Sequence, residues 1–75
     1  MLNAHTLLGH IMYFITVTND IAKITDLTQK IGTTSSIVLA ELMFKKVIAM
    51  YKSDGNFVTL CRKTYLATNE VVEFG

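Results

Sequence analysis

The 75-residue chain has no proline, a single cysteine and few charges. Each shortage narrows the field. With no proline, no low-complexity tract and no repeat, nothing marks a linker. Residues 1–75 therefore read as one domain, near the lower size limit for a free-standing core. A lone Cys61 excludes a disulfide framework and a cysteine-based zinc site within one chain. A small domain without disulfides fits a reducing compartment, so a cytoplasmic location is expected. Cys61 itself reads as a buried small apolar residue, with an intermolecular disulfide or a redox-sensing thiol as the other readings. Charged residues make up 17% of the chain, against roughly 25% in an ordinary globular protein. A formal net charge of +1 gives no strong pull toward nucleic acid or membrane.

Long apolar runs are scarce as well. The longest, "LLGHIMYFITV" from Leu7 to Val17, has about half the ~20 residues a membrane span needs, and it contains His10. It has no basic flank before it and no small-residue cleavage site after it, so neither a span nor a signal peptide is expected. His5 and His10 are five positions apart rather than the four that align two ligands on a helix face, and no third ligand is near in sequence. No metal site is expected. Asp20, Asp26, Glu41, Asp54, Glu70 and Glu73 are scattered, with no pair spaced for acid–base catalysis. There is no phosphate-binding loop, nucleotide fingerprint or triad spacing. The sequence points to no enzyme activity, no cofactor and no small-molecule effector.

What the chain has is apolar surface. At 51% hydrophobic, the surplus either fills a core or supplies a subunit interface. Asn3 or Thr6 caps an expected first helix running to about Val17, apolar at Leu7, Leu8, Ile11, Met12, Phe14 and Ile15. Asn19-Asp20 signals a turn or cap. Thr25 or Asp26 then caps a short second helix. With Asp26 as the cap, Gln29 stands where a capping box would put it, and Gly32 is the stop. Thr33, Thr34, Ser35 and Ser36 suit a helix start better than its interior, and Thr34 is the expected cap of a third helix. Beyond Lys46 two readings compete. Asp54-Gly55 between "VIAMY" and "NFVTLC" signals a hairpin, which is preferred. The alternative extends the helix to Ser53, because Ile37, Ala40, Phe44, Val47 and Tyr51 keep helical spacing, with Gly55 as the stop. The end, "RKTYLATNEVVEFG", reads as a fourth helix or a further strand, with the helix preferred.

This order of elements resembles the winged helix-turn-helix family. Leu27, Thr28, Ile31 and Gly32 match its apolar, small, apolar, glycine pattern before the turn. Val38 lies six residues after the glycine and Leu42 four further on. The resemblance covers about residues 8–61 and is closest in kind to small stand-alone regulators of prokaryotes, plasmids and viruses. It implies an α+β, mostly helical fold with three helices, a two-stranded β-hairpin wing and a possible C-terminal helix. The helices around the turn would cross steeply, with Val38 and Leu42 plugging the gap. Two departures stand out. Thr28 replaces the usual alanine. Lys45 replaces an apolar residue, so that Phe44 or Met43 would take its core slot.

On that resemblance the chain is expected to be a sequence-specific double-stranded DNA-binding transcription regulator, a repressor or activator, acting as a homodimer. Helix 34–46 would lie in the major groove, with hairpin 47–61 as the wing. The DNA-contacting candidates are Thr33, Thr34, Ser35, Ser36, Leu39, Lys45, Lys46, Lys52, Asn56, Arg62 and Lys63. Hydroxyls at a helix start suit phosphate oxygens. Leu39 and Ala40 could meet thymine methyl groups, or Leu39 could pack on the first helix or a second subunit. Five of the seven basic residues follow the start of the recognition helix. Two alternatives use the same expected fold: a protein–protein interaction module, which suits near-neutral charge, and a plasmid replication or partition factor.

Overall fold

The structure is a computed structural model that describes residues 11–64, 66 and 68–75. One α-helix lies on a four-stranded antiparallel sheet. The strands are β1 (Met12–Thr18), β2 (Lys30–Thr34), β3 (Phe57–Lys63) and β4 (Asn69–Phe74), in the order β2-β1-β3-β4, and the helix is α1 (Ile37–Tyr51). The expected winged helix-turn-helix is overturned. Of residues 32–36, which would have formed the corner between two crossing helices, 32–34 belong to a strand paired with β1.

The first correction is β1. The apolar run ending at Val17 reads as a helix because it lacks alternation. It lacks alternation because β1 is a central strand covered on both faces. Tyr13, Ile15 and Val17 point to α1, where Ile15 joins Ala40, Phe44, Val47, Val58 and Leu60 in the core. Phe14, Thr16 and Thr18 point the other way and are also buried. The segment over that second face is the connector between β1 and β2. It contains two single turns of 3₁₀ helix, Ile21–Lys23 and Leu27–Gln29. The part of the expected first helix that falls on residues 1–10, with His5 and His10, lies outside the described residues.

The aspartate signals in this connector have local causes. Asp20 accepts a hydrogen bond from the Ala22 amide and opens the first turn. Asp26 accepts from both the amide and the hydroxyl of Thr28 and opens the second, which holds its carboxyl below the usual range. Gln29 donates to Thr28 instead of closing a capping box. The expected second helix thus shrinks to one turn, and Gly32 is a strand residue, not a stop. A Cβ on Gly32 would run into the Met43 methyl, so its bareness lets α1 settle onto the sheet.

α1 is capped by Ser36, two residues later than Thr34, the expected cap. The Ser36 hydroxyl accepts from the Leu39 amide, while Thr34 Oγ1 accepts from the Ser36 amide. The helix continues through Tyr51, past the expected boundary at Lys46. A 3₁₀ turn (Lys52–Asp54) then leads to Gly55, whose φ of 81° lies in the left-handed region. The helical alternative for 47–53 therefore describes this segment, and no wing forms over 47–61. Asp54-Gly55 ends a helix here. The later run pairs as β3 with both β1 and β4. Of the expected C-terminal helix over 62–72, residues 62–63 end β3 and 69–72 belong to β4, while residues 65 and 67 lie outside the described residues.

Both outer strands carry an irregularity. The β1–β2 register slips between Ile15 and Thr16, leaving Ile31 as the extra residue. The β3–β4 register slips between Leu60 and Cys61, leaving Val72 as the extra residue.

Candidate interaction surface

The eleven candidate residues do not form one surface. Thr33 lies in β2, opposite Phe14 and exposed. Thr34 and Ser36 spend their hydroxyls on the turn into α1, whereas Thr33 and Ser35 are exposed and their hydroxyls make no hydrogen bond among the described residues. Asn56 donates to the Tyr51 carbonyl at the far end of α1. Arg62 pairs with Glu70 across β3 and β4 at 2.9 Å, and Lys63 lies beside it opposite Asn69. Leu39, Lys45, Lys46 and Lys52 are exposed on α1 or just past its end. Ala40, named with Leu39 as a base contact, is fully buried.

α1 is the element that calls for an explanation. It has two apolar stripes on opposite sides. Ala40, Phe44, Val47 and Tyr51 repeat at helical spacing and face the sheet. At about 100° per residue, the line directly opposite runs through Val38, Leu42 and Ala49. That outer line is exposed: Val38 is 67% accessible and Leu42 53%. Leu39 and Met50 extend it on one flank. Glu41 and Lys45 border it on the other, and Lys46 stands beside Leu42. Lys45 and Lys46 interrupt the outer line between Leu42 and Ala49, so the exposed apolar group on this side is Val38, Leu39 and Leu42 at the start of the helix. Clustered exposed apolar side chains of this kind mark a contact surface.

Val38 and Leu42 are the two residues that the family resemblance made core plugs. The structure reverses that assignment; of Phe44 and Met43, the two residues named for the Lys45 slot, Phe44 is in the core and Met43 packs partly buried against it. Both stripes are visible in the sequence. Spacing alone does not rank them, because each repeats with an acceptable helical period.

The second face of the sheet is polar and closed. Thr16 Oγ1 donates to the Ile24 carbonyl at 2.6 Å, and Cys61 Sγ donates to the same oxygen at 3.2 Å. Asn69 donates to the next carbonyl, that of Thr25, at 3.1 Å. Three strands thus hold the connector by two adjacent carbonyls. The Cys61 thiol is buried, and burial pushes it up to about 11. Among the described residues the surface carries no pocket. They also include no group of three metal-ligating side chains and no helix long and apolar enough to cross a membrane.

Comparison with protein-family models, with curated proteins and with solved structures finds no match to this chain.

Proposed function

We propose that the chain is a non-enzymatic protein-interaction module that docks through the outer face of α1. The observation that carries the reading is the exposed group Val38, Leu39 and Leu42 on a helix whose other side is already buried in its own core. Water gains nothing from that group, whereas a protein surface covering it would gain about 25 cal/mol for each Å² of apolar area removed from solvent. The sparse charge of the chain suits such a role. A cytoplasmic setting, expected from the single cysteine, goes with it.

The second reading is the duplex-DNA-binding regulator. Lys45, Lys46 and Lys52, exposed along α1 and just past its end, favour it. Its helix-turn-helix geometry is gone, so it rests on charge.

Titration of the purified chain with a pool of random duplexes, at low and at moderate salt, separates the two. Docking through an apolar face predicts little duplex binding at either salt. Affinity that falls steeply with salt, by a slope of about 0.9 per neutralised phosphate, and that is lost when Lys45 and Lys46 become glutamine, would reverse the proposal.

A further inference from the structure

We infer that residues 1–10 of this chain lie across the apolar group at the start of α1 and cover it until a docking partner displaces them. The inference rests on the docking reading above and adds its regulation. Three observations support it.

The first is where the described chain begins. Tyr13 of β1 stands opposite Thr34, the last residue of β2, and Ser36 caps α1 two positions later. Tyr13 packs against the core on the helix side of the sheet. The residues before Ile11 therefore join the sheet at the end where α1 starts, the end that carries Val38, Leu39 and Leu42. Gly75 is held at the opposite end, where its amide donates to the Val58 carbonyl at 2.8 Å.

The second is length. Ten residues span at most ~33 Å when extended, and a helix is about 10–12 Å across. The segment can thus pass round the start of α1 and run along its outer side. The target is short, since Val38 and Leu42 lie about one turn apart.

The third is chemistry. The segment, "MLNAHTLLGH", has no Asp, Glu, Lys or Arg, and it sets Leu7 beside Leu8. These leucines stand four and three residues before Ile11, so the tether holds them near the helix start at an effective concentration of the order of millimolar. Lys45 and Lys46 close the apolar group on its far side, so it offers room for a few side chains rather than for a long partner helix. A partner then binds more weakly than it would bind the bare group, in proportion to the time the group is open.

Thiol alkylation of the whole chain tests the contact. Leu39→Cys and Met50→Cys place reporters on α1, inside and outside the group, at positions similarly exposed among the described residues. Cys61 is buried and does not compete. Adding Leu7→Asp/Leu8→Asp should speed alkylation of Leu39→Cys by about tenfold, as for a group covered about nine-tenths of the time. It should leave Met50→Cys unchanged, with circular dichroism confirming the fold. A Leu39→Cys rate that the aspartates do not change overturns the inference. So does an equal rise at Met50→Cys, which would report loosening of the whole fold. An apolar fluorescent dye keeps the two proposals apart. If the Leu7→Asp/Leu8→Asp chain binds the dye and loses it on adding Val38→Glu/Leu42→Glu, the docking face stands whatever the alkylation result. If it binds none, the docking reading fails and this inference with it.

Discussion

Thr16 in β1 and Cys61 in β3 donate to one carbonyl oxygen, that of Ile24, and so fix the connector over the second face of the sheet. Their neighbour Thr59 pairs with Thr16 across the strands, is fully buried, and has no partner for its hydroxyl among the described residues. The two threonines should therefore respond in opposite directions to the same substitution. Thr16→Val leaves the buried Ile24 carbonyl with only the weak thiol donor and should destabilise by about 1–2 kcal/mol. Thr59→Val replaces an unsatisfied hydroxyl with a methyl of the same shape and should be neutral or stabilising by up to about 1 kcal/mol. Chemical denaturation of the two variants beside the wild type reads both. Equal losses would mean that Thr59 holds a bond of its own.

Cys61 should behave as an inert core residue. Its thiol ionises near 9.0 in an ordinary setting and is pushed to about 11 by burial, the Thr16 hydrogen bond opposing this only in part. Because the folded value lies above the unfolded one, this contribution to stability is complete below about pH 9. It is lost as pH rises toward about 11, by about 1.4 kcal/mol per unit of difference. Cys61→Ser should flatten that alkaline loss, read as the denaturation midpoint against pH. Alkylation of the native protein at pH 8 should proceed only as fast as the fold opens.

Gly32 and Met43 define how closely α1 sits on β2. The atom that blocks a Cβ is the terminal methyl of a flexible side chain, so Gly32→Ala should cost less than about 1 kcal/mol as Met43 turns aside. Gly32→Leu has no such relief and should lift the helix, at about 1–3 kcal/mol. Thermal melts of the two variants check the difference.

The hydroxyl run before α1 divides sharply. Ser36→Ala removes the bond to the Leu39 amide and should cost about 1 kcal/mol, whereas Ser35→Ala, exposed in the turn, should change stability little. If both were silent, the helix start would be held by packing alone.

Local chemistry was the most legible layer of the sequence. Asp20 and Asp26 were recognisable as capping residues and the Thr-Ser run as a helix start, while Gly55 as a helix stop was only the less favoured reading beside a hairpin. The caps depend on neighbours two or three positions away, and the backbone answers to them directly. Pairing over long distances was not legible. β1 is covered by a helix on one face and by a connector on the other, and Phe14 on the connector side, next to Tyr13 and Ile15, hides the alternation that Thr16 and Thr18 continue. Its β-branched and aromatic content was the only strand signal, and the run was short enough to fit one. Gly32 had a plausible local meaning as a stop, while its actual reason, a methionine eleven residues further on, has no local signature. The same limit affected the candidate surface. Val38 and Leu42 formed a valid stripe, and only the position of the sheet decided that Phe44 and Val47 would face inward.

The pairing of β1 with β3 has a consequence for synthesis. Thr18 aligns with Phe57 and Met12 with Lys63, so the first described strand waits for one made some forty to fifty positions later. The bond from Asn69 to Thr25 spans 44 positions. A growing chain that has not reached residue 57 has β2 beside its central strand but not β3, and lacks Val58 and Leu60 of its core. Folding is thus deferred until β3 has been made, and the nascent apolar segments depend until then on whatever shields them at the ribosome.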